Sequence, residues 1–205
     1  MKRSILFVSL LALGISPAFA QKGKSPAAES LAIGASLPMP ELRLKATDGK
    51  SYVLGKQQGA QGLIVMFSCN TCPFVIKSQA RTKEVMALAR EKGLGLVIVN
   101  SNEAQRDGAD SPADMKAYAE GQQYTAPYLL DDGTLARAFG ATRTPEVFLF
   151  DNGSKLVYKG AMEDNPANPA ASERLFLHEA VGNLTAGKAI DPQTTKSIGC
   201  TIKFK

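Results

Sequence analysis

Ser68-Cys69-Asn70-Thr71-Cys72-Pro73 decides how this chain folds, because it joins a segment that only a buried strand accommodates to one that reads as an amphipathic helix. Upstream, Gly62-Leu63-Ile64-Val65-Met66-Phe67 is a continuous apolar run of strand length, too short for a core helix and bounded by Gly and Ser. It predicts a central strand buried on both faces. Downstream, Phe74, Val75, Ala80, Met86, Ala87 and Leu88 recur at helical intervals, with Lys77, Arg81, Lys83 and Glu84 between them. A Cys-x-x-Cys pair therefore falls in a strand-to-helix turn, at the positive end of the helix dipole. Unpaired backbone N–H groups there favour a thiolate and make it reactive near neutral pH.

The N-terminus reads as an address. Residues 1–20 have the pattern of a secretory signal peptide: Lys2 and Arg3 are the charged region, Ile5 to Ile15 is an apolar run shorter than a membrane span, and Ala18-Phe19-Ala20 is a small-x-small cleavage site. No cysteine follows the apolar run, which argues against a lipid anchor. Removing these twenty residues from 205 leaves enough chain for one domain with a full core, and lowers the formal charge from +5 to +3. The expected organisation is a signal peptide over 1–20, a flexible polar lead-in over 21–30 and one domain over 31–205. The product would be periplasmic or secreted, with no stable membrane insertion after cleavage. So small a net charge, without a Lys/Arg cluster, gives no footprint for nucleic acid. Three cysteines are too few for a disulfide framework in an exported chain of this size, and read better as a working pair plus one.

Along the rest of the chain, Leu42 to Ala46 and Tyr52 to Leu54 read as a hairpin about Asp48-Gly49, preceding and flanking the central strand. Glu91-Lys92-Gly93 ends the first helix, and Leu94 to Val99 is a second buried strand. Asn100 to Pro112 is a polar loop ending in Ser111-Pro112-Ala113-Asp114, a helix start with Ser as N-cap. Pro127 to Leu130 is a short strand, Thr134 to Phe139 a short helix stopped by Gly140, and Glu146 to Phe150 with Lys155 to Tyr158 a hairpin about Asp151-Asn152-Gly153-Ser154. Ser172 to Ala186 reads as the last helix. This order predicts an α/β fold: a mixed central β-sheet with helices on both faces and an N-terminal β-hairpin extension.

Three segments carry a family resemblance: Val65 to Val75 with its Cys-x-x-Cys, then Thr144-Pro145-Glu146-Val147-Phe148-Leu149-Phe150-Asp151, and finally Gly199-Cys200-x-Ile202-Lys203. The chain resembles thioredoxin-fold proteins, and more narrowly the peroxiredoxin-like members of the alkyl hydroperoxide reductase and thiol-specific antioxidant superfamily. The resemblance implies a thioredoxin-like fold, a cis peptide before Pro145, and a substrate-binding role for the Thr144 backbone and Pro145. It also implies, for peroxidases, a Thr three residues before the attacking Cys and an Arg at the start of the later strand. Here Cys69 stands three before Cys72 and Met66 three before Cys69, while Pro145 stands in the Arg position with Arg143 nearby.

The favoured chemistry is thiol-disulfide exchange, with Cys69 as attacking thiolate and Cys72 resolving the mixed disulfide. It needs an exposed sulfur. Its partners would be a protein or small-molecule disulfide and a redox partner supplying or accepting electrons; no cofactor or metal is called for. A thiol peroxidase, motivated by Cys72-Pro73, and a non-catalytic binding module with structural cysteines are the alternatives. The single histidine, His178, falls in a helical pattern and suggests packing or surface rather than catalysis. Cys200 could be a core cysteine, a thiol for a partner, or a second resolving thiol. Lys77 and Arg143 are auxiliary candidates near the thiols, and Glu163-Asp164-Asn165 resembles a binding loop.

Overall fold

Strand β3 (Gly62–Ser68) is the spine of the molecule, and all seven of its residues are buried. The computed structural model describes residues 29–205, so the signal-peptide reading and residues 21–28 of the expected lead-in lie outside the described residues. Glu29 and Ser30 are described, and the Ser30 hydroxyl accepts a hydrogen bond from Lys159 Nζ at 2.8 Å.

Around β3 lie β1 (Arg43–Ala46), β2 (Ser51–Val53), β4 (Leu94–Asn100), β5 (Tyr128–Leu130), β7 (Glu146–Phe150) and β8 (Leu156–Gly160), in the order β2-β1-β5-β4-β3-β7-β8. Parallel pairing joins β3 to β4 and β4 to β5, whereas β7 runs antiparallel to β3 and β8 to β7. The sheet is therefore mixed. The N-terminal hairpin forms as the Asp48-Gly49 turn predicts, with Gly49 at φ 82° and the Asp48 carboxylate accepting from Lys50 N–H. Its place differs from the expectation: β1 pairs with β5 at the sheet edge rather than flanking β3. Turn chemistry fixes a hairpin's shape but not which strand receives it.

Helices α1 (Pro73–Lys77), α2 (Gln79–Glu91), α3 (Pro112–Gly121), α4 (Thr134–Phe139) and α5 (Phe176–Thr185) cover both faces. Alternation along β3 divides the core. Leu63, Val65 and Phe67 pack with Phe139 of α4 and with Phe148, and Ile64 and Met66 pack with Val85 of α2 and Leu177 and Val181 of α5. The Phe67 ring stands edge-on to Phe139 at 5.4 Å and to Phe148 at 5.7 Å, an arrangement that adds about 1 kcal/mol per pair beyond burial. Together these features make a thioredoxin-like fold with its Cys-x-x-Cys at the carboxyl end of β3.

Two helices depart from the periodic pattern for local reasons. The first breaks at Ser78 into α1 and α2, where Gln79 Nε2 donates to the Val75 carbonyl at 3.1 Å and takes an acceptor that a continuous helix would give to a backbone N–H. The last begins at Phe176 rather than Ser172. The Glu173 and Arg174 N–H groups donate to the Asp164 carboxylate, which holds the approach in an irregular loop. A second small sheet, β6 (Arg143–Thr144) with β9 (Cys200–Thr201), had no sequence signal of its own.

Candidate active site

Cys69 leaves the end of β3, and Cys72 stands at the N-cap of α1 with Pro73 at the first helical position. Opposite them the Thr144–Pro145 peptide is cis. The Thr144 side chain and carbonyl divide between the two sulfurs: its Oγ1 is 3.3 Å from Cys69 Sγ, and its carbonyl is 3.1 Å from Cys72 Sγ, accepting from that thiol when it is protonated. From the C-terminal segment, Cys200 N–H points at Cys72 Sγ at 3.4 Å. Cys69, Cys72 and Val75 form one small cluster, with Phe74 and Cys200 packed against it. All three cysteines are free thiols.

The exposed sulfur of the sequence reading is not found: Cys69 and Cys72 are each 2% exposed. Part of their cover is β9, laid antiparallel along β6 with Thr144 opposite Cys200. Gly199 makes this approach possible, since a Cβ there would sit 2.1 Å from the Thr144 carbonyl oxygen.

The two thiols of the pair are pushed in opposite directions. Cys72 is pulled down to about 4, chiefly because Cys69 S–H donates to it. Burial opposes this, and the Cys200 thiol, the Val75 amide and the Cys200 amide add to it. Cys72 makes no capping hydrogen bond of ordinary geometry, so the Val75 amide acts on it as a nearby dipole. Cys69 is pushed up by that same donation and by burial, with the carboxylate of Asp110 adding to the effect. Cys200 is raised to about 11, mainly by burial and by its bond to Cys72. The direction favours a thiolate on Cys72. Pro73 carries the signal: proline favours the first helical position, which makes the residue before it the N-cap.

Behind the turn lies a buried polar network that reading the sequence missed. Asp110, fully buried, accepts from Asn70 N–H at 2.9 Å, from Asn100 Nδ2 at 2.7 Å and from Asn102 Nδ2 at 2.8 Å. Tyr128 donates its hydroxyl to Asn70 Oδ1 at 3.0 Å. Arg106, whose charge faces Asp110, donates to the carbonyls of Asn100, Asp110 and Asp131. The network reaches the C-terminal segment as well, because Asn102 Oδ1 accepts from Lys203 N–H at 2.8 Å. These residues set the path of the Cys69–Cys72 turn, and their only trace in the sequence is a loop rich in Asn and Asp directly after a buried strand.

The auxiliary candidates lie further out. Lys77 Nζ donates to the Ala167 carbonyl at 3.2 Å. Arg143 Nη1 donates to the Gly199 carbonyl and to Thr201 Oγ1, binding the C-terminal segment rather than either sulfur of the pair. Glu163 is withdrawn from solvent, whereas Asp164 is exposed. Glu163 is 1% exposed and pairs with Arg81 Nε at 3.0 Å, and Asp164 holds the entry to α5. His178 is half-buried near Arg81, and desolvation lowers its pKa.

Comparison with known proteins agrees with this fold. Residues 34–175 match the family model described as Redoxin. A hypothetical protein from Sinorhizobium meliloti 1021 is 30% identical with a TM-score of 0.77, over 86% of this chain and 97% of its own. An uncharacterized conserved protein from Geobacillus kaustophilus is 32% identical with a TM-score of 0.77, over 85% of this chain and 93% of its own. The peroxidoxin BcpB from Mycobacterium tuberculosis, at 17% identity and a TM-score of 0.57, covers 77% of this chain and 98% of its own, a likeness of fold. No curated protein matches.

Proposed function

The chain belongs to the Redoxin family, and we propose that within it the protein is an exported thiol-disulfide oxidoreductase in which Cys72 attacks and Cys69 resolves. The substrate is a disulfide in a protein or small molecule. Cys72 thiolate forms a bond to one substrate sulfur as the substrate S–S bond breaks and the other sulfur leaves as thiolate. Cys69 then attacks Cys72, the second substrate thiolate leaves with the Cys69 proton, and a Cys69–Cys72 disulfide remains. A redox partner carrying a thiol or disulfide resets the pair, in a direction that its potential decides. One observation supports this reading: Cys72 stands at the N-cap of α1 with Cys200 N–H directed at its sulfur at 3.4 Å. Export rests on the N-terminal pattern, and no helix among the described residues is long and apolar enough to cross a membrane.

The test is reduction of a model disulfide by purified protein. Cys72→Ser should abolish turnover, and Cys69→Ser should still form a mixed disulfide on Cys72 but no Cys69–Cys72 disulfide. Activity that survives Cys72→Ser defeats the reading. Burial of both sulfurs favours a second, non-catalytic reading in which the scaffold only binds; thiols inert to alkylation in the folded protein would support that reading instead. The position of Cys72 directly before Pro73 favours a third, thiol peroxidase, which the same protein would report as rapid loss of hydrogen peroxide with sulfenic acid on Cys72.

A further inference from the structure

A second cysteine besides Cys69 packs against Cys72. The chain returns from Thr195, whose N–H donates to the Lys159 carbonyl at 3.0 Å, and passes Gly199 over the Thr144 carbonyl. It then sets Cys200 opposite Thr144, with its amide directed at Cys72 Sγ at 3.4 Å and its side chain packed against the Cys69–Cys72 cluster. Past this point Ile202 is buried and its N–H donates to the Thr142 carbonyl, and Lys203 is held by Asn102. Anchors on both sides of Cys200 thus return its thiol to the same place, and it is the least buried of the three cysteines.

From this placement we infer that Cys200 is a second resolving thiol, so that Cys72 closes either a Cys69–Cys72 or a Cys72–Cys200 disulfide. The inference rests on the exchange reading above. A disulfide substrate attacked by Cys72 leaves one thiolate and a Cys72 mixed disulfide. Cys200 attacks the Cys72 sulfur, the Cys72–Cys200 bond forms, the bond to the substrate breaks, and the departing thiolate takes the Cys200 proton. Two protein thiols are oxidised and one substrate disulfide is reduced. Cys69 can then attack Cys72 and release Cys200, giving its proton to Cys200 with no net transfer of electrons. Cys200 comes first in this order because it is only partly buried, whereas Cys69 is 2% exposed.

Oxidised glutathione as the disulfide probe tests the inference, using reduced protein as the Cys69→Ser, Cys200→Ser and Cys69→Ser/Cys200→Ser variants. Trypsin places Cys72 and Cys200 in separate peptides, spanning residues 57–77 and 197–203, so mass spectrometry reads the bond directly. The Cys69→Ser variant should pass through a glutathione adduct on Cys72 to a Cys72–Cys200 disulfide, and the double variant should keep the adduct. A Cys69→Ser adduct that lasts as long as that of the double variant overturns the inference and leaves the exchange reading standing. Absence of an adduct on Cys72 in every variant overturns both.

Discussion

The two sides of the wall around Cys72 are held on different terms. On one side the Cys69–Pro73 turn runs directly out of β3, whose seven residues are all buried, and is tied behind by the Asp110 network. On the other side Gly199–Thr201 makes a two-residue ladder with β6, flanked by the buried Ile202, the Lys203 bond to Asn102 and the Arg143 bonds. Local opening follows the side with fewer buried contacts, so the strap is the part that yields when a substrate needs the sulfur. Both sides act on one sulfur: the turn supplies the larger donor and a helix start, and the strap supplies the cover together with the Cys200 amide.

The largest effect that would break this comparison comes from the shared sulfur. Cys72→Ser should lower disulfide reduction by more than about a hundredfold, since a hydroxyl does not replace a thiolate in exchange. Retained turnover would move the chemistry to another thiol. The next test separates donation from packing. Cys69→Ala removes the largest influence holding Cys72 ionised, whereas Cys69→Ser keeps a hydroxyl donor. Ultraviolet thiolate absorbance should place the Cys72 midpoint clearly higher in Cys69→Ala than in Cys69→Ser. With the Cys72 thiol held below its ordinary value, alkylation of Cys72 should be flat around neutral pH and fall only in acid. A rate that instead climbs tenfold per pH unit near neutrality would place the thiolate elsewhere.

The turn side can also be loosened from behind. Asp110→Asn puts an amide where Asn70, Asn100 and Asn102 all donate, and leaves the Arg106 charge without its carboxylate. Thermal or denaturant unfolding should show a loss of about 3 kcal/mol, the order expected when one member of a buried charged network is removed. Gly199→Ala acts on the other side, since its Cβ has no room above the Thr144 carbonyl. Alkylation of Cys72 should then quicken by about tenfold, the equivalent of about 1.4 kcal/mol of easier opening, while global stability changes less. A strap variant that leaves alkylation unchanged would show that β9 is not the gate.

How much of this site the sequence carries depends on chain distance. Gly62 to Pro73 is local: an apolar run, a cysteine pair and a proline at a helix start lie within twelve residues, and each states its preference without help. Pro73 also marks Cys72 as the N-cap, the local signal behind the roles proposed for the pair. Contacts from afar leave no such trace. Asn70 meets Asp110 forty residues on, and Cys72 meets Cys200 at a separation of 128. Asn and Asp in a loop after a strand look the same whether the loop faces water or folds inward. The hairpin at β1 and β2 teaches the same point, since Asp48-Gly49 sets its turn while its docking on β5 depends on where the rest of the sheet ends.

Lys77 gives the smallest expected effect and sharpens the comparison by what it leaves unmoved. One helical turn beyond Pro73, it reads in sequence as a source of positive potential for the thiols. In the structure its ammonium reaches away to the Ala167 carbonyl on the exposed face of α1. An exposed charge of this kind is screened by water and salt, and the forces that ionise Cys72 come instead from groups in contact with its sulfur. Lys77→Ala should therefore change the alkylation rate and the midpoint of Cys72 by less than about twofold, at low and at physiological salt alike. A larger, salt-sensitive change would mean that long-range charge adds to the local donors, and that the turn side of the wall extends a full helical turn beyond Cys72.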